Sequence, residues 1–315
     1  MNFMKQYDDA SLNKISRFFN QVEQQAYDLP RENLDGITSV PMKGGVNAGA
    51  LTFTCKKISE LGMAKIIADN AKDLPPISRA YKYETAQIKN VGASYSFTQQ
   101  EIDSYLFAGG NIDTEDANTA RRKIDECVDR IILLGDKENG LGGLLNNENV
   151  TVATAGSSAT GSSKKWKDKT FQEVCNDIQS MLDAMWNANK GANGGTTLRG
   201  GITIKLPREA YVSISTRYRS SESDRTFLMA ILDLFRPQGV IAIEECESCN
   251  EAGESGASRA CAYVKSPENL FCLLPLPFRI LPAQYVGLSV IYNCTARTGG
   301  TVWRRPTSGV YMDGI

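Results

Sequence analysis

Residues 112–149 read as one long helix, a glycine stop and a tight turn, and a rod of that length dictates what the rest of the chain must lie against. Asp113 suits the N-cap, and Glu115 and Asp116 place negative charge in the first turn, where the helix dipole favours it. Ala117, Ala120, Ile124, Cys127, Val128, Ile131 and Leu134 recur in steps of three and four, which lines them along one face. Arg121, Arg122, Asp125 and Asp129 are left for the polar face, and Gly135 suits the C-terminal cap. About 21 residues at ~1.5 Å each predict a rod of roughly 31 Å, longer than the average globular helix. Glycines at 135, 140, 142 and 143 follow, the last two directly before Leu144 and Leu145. That pattern predicts a close backbone approach under packing. It is not a phosphate-binding fingerprint, because it follows a helix instead of joining a strand to one.

Composition narrows the function. A chain of 315 residues predicts about two domains, and one of that size buries roughly three quarters of its unfolded surface. Lys and Arg number 35 against 36 Asp and Glu, so the basic surplus of a free-standing nucleic-acid binder is missing. No apolar run is long enough to span a bilayer, and the first residues carry no apolar secretion signal. The chain is therefore expected to stay in the cytoplasm that makes it, or to reach its destination by another route. It has no histidine, which removes Ser-His-Asp and Cys-His catalysis and zinc sites with His ligands. Its eight scattered cysteines read as free thiols used as small apolar residues. Cys246 and Cys249 have redox or zinc spacing, but Cys261 and Cys272 do not make a second pair, so two thiols in a loop are expected. The sequence around Ser255 lacks the second glycine of a nucleophile elbow. No catalytic, cofactor-binding or metal residue is assigned, which points to a structural protein, not an enzyme.

Leu12, Ile15, Phe18, Phe19, Val22 and Ala26 share a helical face closed by Pro30, and residues 31–50 are dense in Gly, Pro and Asn, an arm or linker. Residues 51–98 predict a long hairpin with an elaborate tip. Alternation is clear at 51–56, 80–85 and 93–98, with Tyr81, Tyr83, Tyr95 and Phe97, and residues 61–78 form the tip. A ribbon this long has too little core to stand alone, so it must lie on its own domain or on another copy. A short helix is expected at 99–107. Residues 151–168 are small and polar, a flexible connection. A compact α+β unit of about 85 residues follows, its first helix capped by Asp168 or Thr170 and packed through Phe171, Val174, Cys175, Ile178, Met181, Leu182, Met185 and Trp186. Strands are expected at 202–206 and 240–243, helices at 208–215 and 224–235, and a polar loop at 246–260. The rest is strand-rich and is expected to return to the long helix.

Four stretches, in order, carry a family resemblance: LGMAKIIADNAKDLP (61–75), DECVDRIILLGDKENGLGGLLNNENV (125–150), PLPFRILPAQ (275–284) and TARTGGTVWRRPTSGVYMDGI (295–315). Together they resemble the major capsid proteins of tailed bacteriophages with the Hong Kong 97 capsid fold. The resemblance implies an α+β fold with an N-terminal arm (1–50) and an extended β-hairpin loop (51–98). It implies a peripheral domain (99–165 and 258–315) with a spine helix at 113–134, and an inserted axial domain (166–257). The chain lacks the long N-terminal scaffolding segment of the best-known member, which leaves two readings open: a mature form from which that segment was removed, or scaffolding by a separate protein.

The function implied is self-assembly into the icosahedral shell of a virion, made in a bacterial host cytoplasm around a double-stranded DNA genome. An encapsulin-type compartment with protein cargo is the alternative. Partners implied are the chain itself in pentamers and hexamers, with portal, scaffold and decoration proteins; DNA is enclosed without sequence-specific binding, and no membrane is involved. No cofactor is expected. Subunit contacts are expected at Leu61, Met63, Lys65, Ile66, Ile67, Asp69, Lys72, Asp73, Leu74, Arg79, Arg121 and Arg122, the charged members as ion pairs between subunits.

Overall fold

In the computed structural model the long helix runs Asp113–Leu134. Gly135 ends it in the left-handed region (φ 72°), its N–H donating to Ile131 O at 2.9 Å. Ala120, Ile124, Val128 and Ile132 form the buried stripe, joined by Ile131 and Leu133. Steps of four move the stripe steadily around the helix, so Cys127 lies at its border and is exposed, contrary to expectation. Asp129, expected on the polar face, is buried instead and accepts the N–H of Gly36 at 2.6 Å. Burial pushes its carboxyl above the usual range, against the lowering effect of that hydrogen bond.

Residues 135–145 fold back tightly against the helix end. The N–H groups of Leu144 and Leu145 donate to Ile132 O and Leu133 O, both at 2.9 Å, and satisfy carbonyls the helix leaves open. A Cβ on Gly143 would stand 2.7 Å from Leu133 O, and one on Gly142 would stand 2.7 Å from Thr301 O. The expected close approach is therefore real, and its partner is the far end of the chain. Thr301 donates its N–H to Gly142 O at 2.8 Å and its hydroxyl to Ile132 O at 2.7 Å. The Tyr311 hydroxyl donates to Leu144 O at 2.6 Å. Replacing Gly143 by Ala is expected to cost about 1–3 kcal/mol in denaturant unfolding, the usual range for overpacking. Gly44→Ala, where a Cβ meets nothing within 4 Å, should stay within about 0.5 kcal/mol.

The structure describes residues 34–66, 74, 76–108, 113–159, 161, 163–189, 201–219 and 224–315. The amphipathic pattern at 12–26 lies outside them. The strands are β1 (Thr52–Leu61), β2 (Ser78–Gln87), β3 (Lys89–Thr98), β4 (Thr151–Thr154), β5 (Ile202–Leu206), β6 (Val240–Glu245) and β7 (Arg259–Val264). Then come β8 (Leu270–Leu273), β9 (Leu276–Ile280), β10 (Gln284–Val286), β11 (Ser289–Thr298), β12 (Gly300–Trp303) and β13 (Gly309–Asp313). β1 pairs with β2 as an antiparallel ribbon. β3 leaves that ribbon and pairs along its length with β11, from Thr98↔Ser289 to Lys89↔Thr298. Residues 51–98 are thus not one hairpin: alternation marks a strand but cannot name its partner. β9 and β10 complete that sheet on β11, and β8 pairs with β12.

The fourth group of strands is a five-stranded mixed sheet in the order β4-β13-β7-β5-β6. β4 comes from the stretch expected to be a flexible connection, and Trp166 in the same stretch is buried. Small polar residues there read as linker until β13 supplies a parallel partner. Against this sheet packs the helix Phe171–Ala188, opened by a reciprocal capping box of Thr170 and Glu173. Val174, Cys175, Ile178, Met181, Leu182 and Met185 are buried, while Trp186 is half exposed. Beside them, buried Lys169 pairs with buried Asp177, which also accepts Trp166 Nε1–H at 2.9 Å and Gly156 N–H at 2.9 Å.

A second core surrounds the long helix and includes Val40, Cys246, Cys249, Ala252, Cys261, Tyr263 and Tyr311. The loop at 246–260, expected to be polar, therefore turns three side chains inward. Residues 36–43 are also built into the protein: a helical turn at Gly36–Ser39 receives the Tyr263 hydroxyl at Ser39 O (2.9 Å), and Cys272 N–H donates to Pro41 O at 2.8 Å.

Candidate functional site

The β1–β2 ribbon is paired over ten residues, from Thr52↔Gln87 to Leu61↔Ser78. Its root is anchored. Cys55 is buried beside Phe271 and Leu273, and Phe53 meets the Phe271 ring edge-on with centroids 5.7 Å apart. Beyond the root the apolar side chains lose their cover. Ile58, Leu61 and Tyr81 are more than half exposed, and exposure reaches 77% at Met63, 73% at Ile77 and 62% at Leu74. Ile66 is fully exposed. Among the described residues β1 and β2 pair only with each other, so both outer backbone edges are also open. A two-stranded ribbon is marginal in water by itself, and this one leaves a contiguous run of large apolar side chains uncovered.

Strand alternation sets the two faces. Ile58 lies opposite Tyr81 and Lys56 opposite Tyr83, so an apolar and aromatic stripe shares one face with cations. The Lys56 ammonium sits 3.8 Å from the Tyr81 ring centroid. On the other face Lys57 pairs with Glu84 at 2.6 Å. Burial works to raise the Glu84 carboxyl, but the Lys57 hydrogen bond and charge hold it below the usual range. Ile58 and Tyr83 belong to this surface and drew no expectation as contacts; period-two counting from Arg79 reaches Tyr81 and Tyr83, and Ile58 lies opposite Tyr81 on the same face.

Of the expected contact residues, Leu61, Met63, Lys65, Ile66, Leu74 and Arg79 all lie exposed at the distal end of the ribbon. Ile67, Asp69, Lys72 and Asp73 lie outside the described residues. Arg121 and Arg122 stand apart from the ribbon on the long helix, facing Asp125 at 3.7 Å and Glu126 at 2.9 Å within their own chain. A second exposed apolar tip, Tyr285, Val286 and Leu288, caps the β10–β11 turn. It drew no expectation, because Pro282 and Gly287 mark only a turn there.

Among the described residues, no cluster of three or more His, Cys, Asp or Glu is placed to hold a metal, and no helix is long and apolar enough to cross a membrane. The geometry on display suits association and offers no constellation for catalysis among those residues.

The family model described as "Major capsid protein" matches residues 62–315. The fold is similar to the capsid of Myoviridae phage XM1, with a TM-score of 0.77 at 15% identity over 95% of this chain and 98% of that one. The capsid of an empty GTA particle follows at a TM-score of 0.64, 12% identity, and 93% and 94% coverage. A virus-like particle from Pyrococcus furiosus is similar at a TM-score of 0.56, 14% identity, and 89% and 95% coverage. No curated protein matches the chain.

Proposed function

The chain belongs to the major capsid protein family, and from that premise we propose that its copies join head to tail in pentamers and hexamers that close around a double-stranded DNA genome. Its fold is the phage capsid fold, and its role is that of a shell-forming structural protein. The observation that carries the proposal is the β1–β2 ribbon, anchored at its root and uncovered along its distal half. A neighbouring subunit supplies the cover. Each large apolar side chain so buried contributes about 1.5–3 kcal/mol, and the head-to-tail geometry of such a contact closes into rings.

Lys65, Asp69, Lys72, Asp73, Arg79, Arg121 and Arg122 are the candidates for charge pairs across that contact. Exposed pairs contribute about 0–1 kcal/mol each, so they set direction and register more than strength. In this reading the arm is 1–50, the extended loop is the β1–β2 part of 51–98, with β3 joining the peripheral domain of 99–165 and 258–315, and the axial domain is 166–257. Near-zero net charge suits a container that encloses DNA without reading its sequence. Portal, scaffold and decoration proteins complete the particle, which assembles in the bacterial cytoplasm.

The test is to produce the protein in its native genetic setting, purify particles, treat them with nuclease and image them. Closed shells holding protected DNA are expected. An enzyme inside in place of DNA would make the particle a cargo compartment, and a monomer by light scattering would overturn the reading altogether.

A further inference from the structure

We propose that Cys246 and Cys249 form an oxidisable dithiol that hydrogen peroxide closes to a disulfide. Cys246 follows β6 directly and stands at the N-cap of a single 3₁₀ turn, Glu247–Asn250, with Cys249 inside it. The Cys249 N–H donates back to Cys246 O at 3.2 Å. A reversal of this kind brings the two Cα atoms within about 7 Å, and disulfides span Cα separations of about 4.4–6.8 Å. Both thiols are buried in the core around the long helix, which shuts out another protein but admits a small neutral oxidant on local opening. This inference does not depend on the shell reading.

The surroundings divide the work between the two sulfurs. The hydrogen bond from Cys249 holds the Cys246 thiol below its ordinary range, against burial, with the Lys205 ammonium helping and Asp35 opposing. The same hydrogen bond, then burial, holds Cys249 far above it, and the Cys261 thiol adds to that. The Cys246 thiol gives up its proton and the thiolate attacks one peroxide oxygen. The O–O bond breaks, hydroxide leaves and takes up the proton as water, and Cys246 becomes a sulfenic acid. Cys249 sulfur then attacks the Cys246 sulfur. The S–O bond breaks, and the hydroxyl leaves with the Cys249 proton as a second water. Two thiols are oxidised and one peroxide is reduced to two waters. By contrast burial pushes the Cys175 thiol to about 11 and Cys272 to about 12, and raises Cys261 further. Those three should stay inert.

The full chain, folded, is exposed to graded peroxide, quenched with catalase, unfolded, alkylated with iodoacetamide, digested and weighed by mass spectrometry. Exposed Cys127 reports that oxidant was delivered. The expected result is a peptide carrying Cys246 and Cys249 that is unalkylated and two hydrogens lighter, with Cys175, Cys261 and Cys272 alkylated. In Cys249→Ser the expected product is a Cys246 sulfenic acid trapped by dimedone. A wild-type peptide still carrying two alkyl groups when Cys127 is fully oxidised would overturn the proposal. So would a Cys246 sulfinic acid beside a free Cys249.

Discussion

Deleting residues 64–77 is expected to leave a subunit that folds normally and makes no particles. Leu61 and Ser78 are the last paired residues of the ribbon, so the deletion leaves Gly62 and Met63 between them. Two residues are what a tight hairpin needs, and Gly62 already has a positive φ (123°). None of residues 64–66, 74, 76 or 77 is buried, and none joins a core cluster. The two cores should therefore not register the loss: thermal unfolding should move by no more than about 2 °C, under 1 kcal/mol for a chain of this size. Assembly loses the exposed Ile66, Leu74 and Ile77 at every copy of the contact, and losses repeated around a closed ring compound. Electron microscopy and sedimentation decide the matter. Shells at normal yield from the shortened chain would show that the ribbon tip does not hold subunits together.

Lys169→Met carries the largest expected loss of subunit stability. Lys169 and Asp177 are both almost wholly buried, and Asp177 also receives Trp166 Nε1–H and Gly156 N–H. Removing the cation strands a carboxylate in the core between the helix Phe171–Ala188 and the five-stranded sheet. Breaking a buried pair from one side costs about 3–5 kcal/mol. At roughly 2–4 °C per kcal/mol, that lowers the melting temperature by about 6–20 °C. Adding Asp177→Leu should recover part of the loss by removing the stranded charge. It cannot recover all of it, because the Trp166 and Gly156 donors then lose their acceptor. A single-variant loss under about 1 kcal/mol would mean that the pair is hydrated in solution.

Local periodicity carried the helices a long way. Asp113–Leu134 ends at the glycine expected, Thr170, one of the two caps expected, opens the next helix, and β5 falls on Ile202–Leu206 as expected, all five residues buried. The exposure of the ribbon's distal residues was legible for a related reason: apolar side chains in a ribbon with no core of its own find no cover on it. Burial of individual residues was less legible. Cys127 and Trp186 obey the spacing rule yet lie exposed, and Asp129 breaks it yet lies buried, because each depends on what passes opposite the helix.

By itself the amino-acid sequence determined the elements that close on themselves: helices, their caps, the glycine turn and the unsatisfied ribbon. Each of these rests on hydrogen bonds or apolar spacing within a few residues along the chain. Tertiary structure alone decided which strands pair. It took β3 from the ribbon to β11, drew β4 and β13 into one sheet, and set Thr301 and Tyr311 on the turn at 142–144. A strand shows its alternation to any partner, and only a packed core, by choosing which face is buried, makes one partner better than the rest.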